Sequence, residues 1–142
     1  MKINSQNKHL TIIEILIKDT RLKINSQNKN WDTAFHLACK NGNFQIVEFL
    51  MKNAQIKINY KNKAGETPFY LACSEEHLAI LEFLVKDDRL EINSQNNYGE
   101  TYFHSAYLYD SLTIVEFLLK NANTKNKHGE NAFHNACFNG HL

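Results

Sequence analysis

Glu66-Thr67-Pro68-Phe69-Tyr70-Leu71-Ala72-Cys73 is a stretch that the chain writes four times. Asp32-Thr33-Ala34-Phe35-His36-Leu37-Ala38-Cys39 precedes it. Glu100-Thr101-Tyr102-Phe103-His104-Ser105-Ala106-Tyr107 and Glu130-Asn131-Ala132-Phe133-His134-Asn135-Ala136-Cys137 follow. Thr33, Thr67 and Thr101 stand 34 residues apart, and Asn131 comes 30 after Thr101. Each copy reads as a helix start. A Thr or Asn side chain caps free backbone N–H groups, and Pro68 sits where its missing N–H costs nothing. Helices are expected near 34–41, 68–75, 102–109 and 132–139. Phe35, Phe69, Phe103 and Phe133 should be core. Ala38, Ala72, Ala106 and Ala136 are small enough for close helix contact.

The second half of each unit is as regular. Ile46-Val47-Glu48-Phe49-Leu50, Ile80-Leu81-Glu82-Phe83-Leu84 and Ile114-Val115-Glu116-Phe117-Leu118 recur every 34 residues. Thr11-Ile12-Ile13-Glu14-Ile15-Leu16 is an earlier copy. Positions 46, 49 and 50 share one helix face, with 47 at its edge. A second set of helices is therefore expected near 10–18, 44–52, 78–86 and 112–120. Leu50, Leu84 and Leu118 should lie buried between the two helical layers. Polar links join the units, with Leu22, Ile56 and Leu90 as buried anchors. Gly65, Gly99 and Gly129 mark turns that need positive φ. Trp31 replaces that glycine in one unit. Asp110 replaces Gly42 at a helix end, so its unit is expected to give up that turn chemistry.

A period near 33 residues around a T-P-L-H-x-A core resembles the ankyrin repeat. The resemblance covers residues 9–142 and implies an all-α ankyrin-repeat solenoid: stacked helix-turn-helix units with hairpin-like finger loops. It implies one domain over 1–142, with a partial repeat at 1–27, repeats at 28–61, 62–95 and 96–125, and a half repeat at 126–142. The ends are irregular. Lys2–Lys8 repeats Lys23–Lys29 at a spacing of 21 rather than 34, as if one inner helix and its finger were missing. Phe133, Phe138 and Leu142 belong to a half unit and should leave apolar surface open. A fragment of a longer array, or self-association through an end, is expected.

Composition narrows the function. Formal net charge is +1, with no polybasic run, which argues against nucleic acid. Three cysteines make no disulfide framework. Neither a signal segment nor a membrane span is visible, so an intracellular, cytoplasmic protein is expected. Abundant Asn, Lys and Ile point to an A/T-rich genome such as that of a unicellular eukaryote. His36–Cys39 and His134–Cys137 have i, i+3 spacing that zinc accepts. Each pair supplies only two ligands, and adjacent units are too far apart to complete a site or bridge Cys39 to Cys73. The resemblance gives this histidine a structural role, tying neighbouring loops together. No catalytic motif is present. Glu75-Glu76 and Asp87-Asp88 read as solvated surface. No metal, cofactor or catalysis is expected.

What remains is recognition. Lys29, Lys63, Asn97 and Lys127 hold one finger position. Asp32, Glu66, Glu100 and Glu130 hold another, and the two columns read either as a soluble surface with weak cross-pairing or as a charged rim around a binding surface. Ankyrin-like arrays carry partners on the fingers and the exposed inner-helix face, which implies a non-catalytic protein–protein interaction scaffold. In the second half that face gathers Tyr98, Leu108, Tyr109 and Phe138. Tyr98, Leu108 and Tyr109 are the expected centre of contact, with Glu100 and Glu130 as a polar rim. Alternatively Tyr107 and Leu108 repack a degenerate unit. Trp31 either joins the surface or is a tolerated turn substitution. Rival readings are a substrate-selecting segment of a larger enzyme, such as a kinase or ubiquitin-transfer protein, and a structural spacer.

Overall fold

The structure, a computed structural model, describes residues 5–19 and 23–121. Its ordered elements are α1 (Ser5–Lys18), α2 (Ala34–Asn41), α3 (Phe44–Met51), α4 (Pro68–Ser74), α5 (Leu78–Leu84), α6 (Tyr102–Leu108) and α7 (Leu112–Lys120). No strand occurs among the described residues. Helices α2, α4 and α6 pack side by side as an inner layer, α3 lies beside α5 in an outer layer, and α7 packs on α6. The expected helix over 132–139, with Phe133, Ala136, Phe138 and Leu142, lies outside the described residues, as do Leu22 and Gly129.

Each inner helix starts on its threonine. The Thr33 hydroxyl accepts from the His36 amide and the Thr67 hydroxyl from the Tyr70 amide, satisfying a donor the helix leaves free. Pro68 occupies the first turn of α4. The constant spacing then delivers a continuous core. Phe35, Phe69 and Phe103 are buried from the inner layer, and Leu50, Leu84 and Leu118 from the outer helices. Tyr102 stands in the proline position of its unit, and its ring lies 4.8 Å from Phe69. The buried side chains Ile56 and Ile58 close the link beneath α3. Leu90, at the matching anchor position, is half-buried.

Three readings change. In α3 the edge residue Val47 is wholly buried, whereas Ile46 and Phe49 are only half-buried. Val47 is buried on the side from which α3 contacts both α2 and α5. Helices α4, α5 and α6 end one or two residues early, at Ser74, Leu84 and Leu108. Helix α1 starts at Ser5, not near residue 10. Ser5-Gln6-Asn7-Lys8 is helical, yet the identical Ser26-Gln27-Asn28-Lys29 is non-helical and enters a finger turn at Lys29. The second copy runs into Asp32-Thr33, where the Asn28 side chain binds the Asn30 and Asp32 amides. The first runs into an apolar helical pattern, which extends back over it.

Helix α1 is held more openly than the later outer helices. Leu16 is 48% exposed, while Leu50 at the matching position is 1% exposed. Leu84→Ala should therefore cost about 2–5 kcal/mol, the range for truncating a buried leucine. Leu16→Ala should cost well under 1 kcal/mol, or about the surface norm. Chemical denaturation of both variants checks the contrast. Similar midpoint losses at the two sites would contradict this packing.

Candidate protein-binding site

The fingers are built by asparagine. The Asn28 amide donates to the Asp32 carbonyl and the Trp31 amide to the Asn28 carbonyl, and the pattern recurs at Asn62 and Asn96. This closes a three-residue loop whose last residue is left-handed. The side-chain oxygens of Asn62 and Asn96 each accept two further finger amides. Adjacent fingers then join: the Lys63 amide donates to the Asn30 carbonyl and the Asn97 amide to the Ala64 carbonyl. A β-carbon on Gly65 would sit 2.6 Å from the Asn97 nitrogen, so glycine is required there.

The left-handed site in the first of these fingers holds Trp31, at φ 63°. Its side chain is 53% exposed and its carbonyl accepts from the Gln27 amide. A second left-handed column ends the inner helices: Gly42, Glu76 and Asp110, at φ 72°, 58° and 55°. Asp110 thus keeps the turn that its sequence was expected to abandon, at the strain cost of a β-carbon. Why, among the described residues of this column, glycine stands only at 42 is visible one unit on. The His77 imidazole lies where a Gly42 β-carbon would go, 2.6 Å away, and its Nε2 bonds the Lys40 carbonyl. In the next unit Ser111 takes the histidine's place, leaves room for Glu76, and donates to its carboxylate.

Tyr98 on the third of these fingers and Tyr109 just past α6 are 84% and 80% exposed. Helix α6 and the end of the finger lie between them in the chain. Glu100 is half-buried and accepts from the Asn96 side chain. The structure says nothing of the Leu108 side chain, and Glu130 and Phe138 lie outside the described residues. Leu37, not anticipated as a contact, is 41% exposed on α2. The matching Leu71 is buried, and Ser105 in that column bonds the Tyr70 hydroxyl. The signal for this exchange was a Tyr at a His position preceding a Ser at a Leu position. Among the described residues, a separate groove of about 330 Å³ opens on the outer side, lined by Glu48, Met51, Lys52, Phe83, Lys86 and Asp87.

The charge columns do not pair as expected. Asp32, Glu66 and Glu100 take asparagine amides, not lysines. The Asn62 side-chain nitrogen lies 3.1 Å from Asp32 Oδ1 and 3.2 Å from Glu66 Oε2. His36 is structural: Nδ1 accepts from the Thr33 amide and Nε2 reaches the Glu66 carbonyl of the next unit. Both ring nitrogens are thereby engaged. Burial pushes the Cys39 and Cys73 thiols up, well away from thiolate, and both are free. Among the described residues, no group of His, Cys, Asp or Glu is placed to hold a metal ion, and no helix is long and apolar enough to cross a membrane. The family model for ankyrin repeats, in three copies, matches residues 1–96. A search of curated proteins finds no significant match.

Two outcomes are expected from this geometry. Burial holds the His36 imidazole below its ordinary value of 6.5, against the opposing pull of the Glu66 carbonyl. The unfolded chain therefore takes up this proton first as pH falls, and stability should decline below about pH 6.5 until the folded histidine also titrates. His36→Gln should flatten that part of a stability–pH profile; an unchanged slope would contradict the assignment. Trp31→Gly relieves a left-handed β-carbon and should leave thermal stability unchanged or raise it by up to about 1 kcal/mol. A clear fall in melting temperature would show that the indole is a packing residue.

Proposed function

The chain belongs to the ankyrin-repeat family, and we propose that it is a non-catalytic scaffold that binds a partner protein across its fingers and inner-helix ends. Ankyrin repeats generally mediate protein–protein interaction and are typically without catalysis. The family supports this type of function; the surface is our assignment. The observation that carries it is the pair Tyr98 and Tyr109, both more than three-quarters exposed, one on the finger that leads into α6 and one just past its end. Exposed rigid aromatics of this kind dominate binding hot spots. Trp31 adds a third, on a finger and in a conformation that disfavours any side chain. Strain retained in an exposed residue points to use rather than to packing. Glu100 supplies a polar rim. We also propose the repeat boundaries read from the sequence, and an intracellular, cytoplasmic setting in keeping with two free, buried thiols.

Affinity purification from the native cell with mass spectrometry would identify the partner. Tyr109→Ala should then weaken its binding by about 2 kcal/mol or more, as for a hot spot, with thermal stability nearly unchanged because the ring is exposed. Loss of stability with unchanged affinity would place the partner elsewhere, with the outer groove at Met51 and Phe83 the next surface to vary.

A further inference from the structure

We propose that a small cavity between the C-terminal ends of α4 and α6 is a socket for the hydroxyl of a Ser or Thr side chain that the partner brings. The proposal rests on the fingers and inner-helix ends being the binding surface. The cavity offers about 30 Å³ to the centres of water-sized groups. Its floor is made of buried residues, Cys73, Tyr102 and Ser105. Ser74, Glu76 and Tyr109 at its rim are exposed. The cavity therefore opens beside the Tyr109 ring, one of the two exposed tyrosines of the binding face.

The observation that points to a ligand is the Tyr102 hydroxyl. The residue is 1% exposed and its oxygen is buried, yet that oxygen has no hydrogen-bond partner among the described residues. Native structures rarely leave a buried polar group unpaired, because its lost hydration is not replaced. Packing does not call for the hydroxyl: the ring against Phe69 is what fills the space between the helices. Burial also pushes the phenol up, so it keeps its proton and has it to give.

The other polar groups around the cavity have committed their protons. Ser74 donates to the Leu71 carbonyl, and Ser111 donates to the Glu76 carboxylate. Ser105 shares a hydrogen bond with the Tyr70 hydroxyl. Ser74, Ser111 and Glu76 therefore have lone pairs to offer, and Tyr102 has a proton. An occupant must accept from Tyr102 and donate to Glu76 or a serine. A carboxylate has nothing to donate and is repelled by Glu76. An ammonium cannot accept from Tyr102, and a methyl group does neither. A neutral hydroxyl does both. Size narrows the choice: a water-sized group needs about 10–15 Å³ by this measure, so the cavity takes about two heavy atoms. That suits a hydroxyl and the carbon bearing it, and is too small for a carboxamide. Water meets the same requirement in the free protein. The partner's serine or threonine displaces it and reproduces its hydrogen bonds.

Two measurements on the full chain test this. A high-resolution crystal structure should show a water about 2.7–2.8 Å from Tyr102 Oη, the usual O–H···O separation. A phenol turned onto a protein acceptor, or a dry cavity, would overturn the socket. Random displayed peptides are then selected on the immobilised chain, and enriched ones are titrated by fluorescence anisotropy. Each is compared with its Ser→Ala or Thr→Val form, against the chain, Y102F, Y98A and Y109A. Tyr102→Phe removes only the unpaired hydroxyl, and circular dichroism checks the fold. E76G, at a left-handed position that glycine suits, removes the charged acceptor and serves if Y102F does not fold. The expected peptides carry Ser or Thr at one fixed position. Removing that hydroxyl should weaken binding to the chain about two- to tenfold, the range for one neutral hydrogen bond, and should change nothing in Y102F. Water in the crystal, with peptides that ignore the exchange, would reduce the cavity to a structural water site and overturn the partner's hydroxyl. An equal loss in Y102F would put the hydroxyl's contact elsewhere and overturn the socket. Either result, with binding still lost in Y109A, would leave the face intact. Peptides indifferent to Y98A and Y109A, or no enrichment, would overturn the face itself.

Discussion

Asparagine side chains fix the register of each helix pair on the next. The Asn25 amide donates to the Gln55 carbonyl while its oxygen accepts from the Lys57 amide, and Asn59 repeats this with Arg89 and Glu91. The reason is a shortage of local partners. A pair of helices of seven or eight residues buries too little of itself to stand alone, and its links are too irregular to satisfy their own backbone. Neighbouring units supply both the missing apolar contact and the missing hydrogen bonds. His36 on the Glu66 carbonyl and the Lys63 amide on the Asn30 carbonyl belong to the same arrangement. With the loops fixed in this way, Phe69 and Tyr102 meet at one height between the layers, and the fingers form one continuous edge.

Departures from the repeat are compensated one unit further on. Glycine at 42 goes with the His77 ring that overlies it; Glu76 goes with the smaller Ser111. Tyr70, at a histidine position, reaches the Ser105 hydroxyl where a leucine would otherwise stand. Since stacking energies are close to nearest-neighbour in form, such an exchange involves two adjacent units and leaves the rest undisturbed. That independence lets surface residues such as Tyr98 and Tyr109 differ from their counterparts Ala64 and Glu75 without loss of the fold.

The same economy shapes the candidate binding face. The acidic column sits beside asparagines because those asparagines must already be there to close the finger turns. Carboxylates are thereby oriented by neutral donors. The buried thiols and the doubly engaged His36 are, by contrast, committed to the interior.

Much of this was written in the sequence. The period of 34, the threonine caps and the apolar spacing specify inner and outer helices, the Phe and Leu columns and the family, because a repeating local pattern demands a repeating structure. Tertiary structure alone decided other points. Val47 became the most buried residue of a helix that packs on both α2 and α5. Ser-Gln-Asn-Lys became helix once and loop once, because an apolar helical pattern succeeds the first copy and a finger turn succeeds the second. Asp110 and Glu76 kept a left-handed turn without glycine, since the stack fixes that backbone whatever the side chain. The charge columns met asparagine amides rather than each other, because register along the finger, not sequence offset, sets which groups touch. Sequence encodes what each residue prefers; only the stacked neighbours determine which preferences are met.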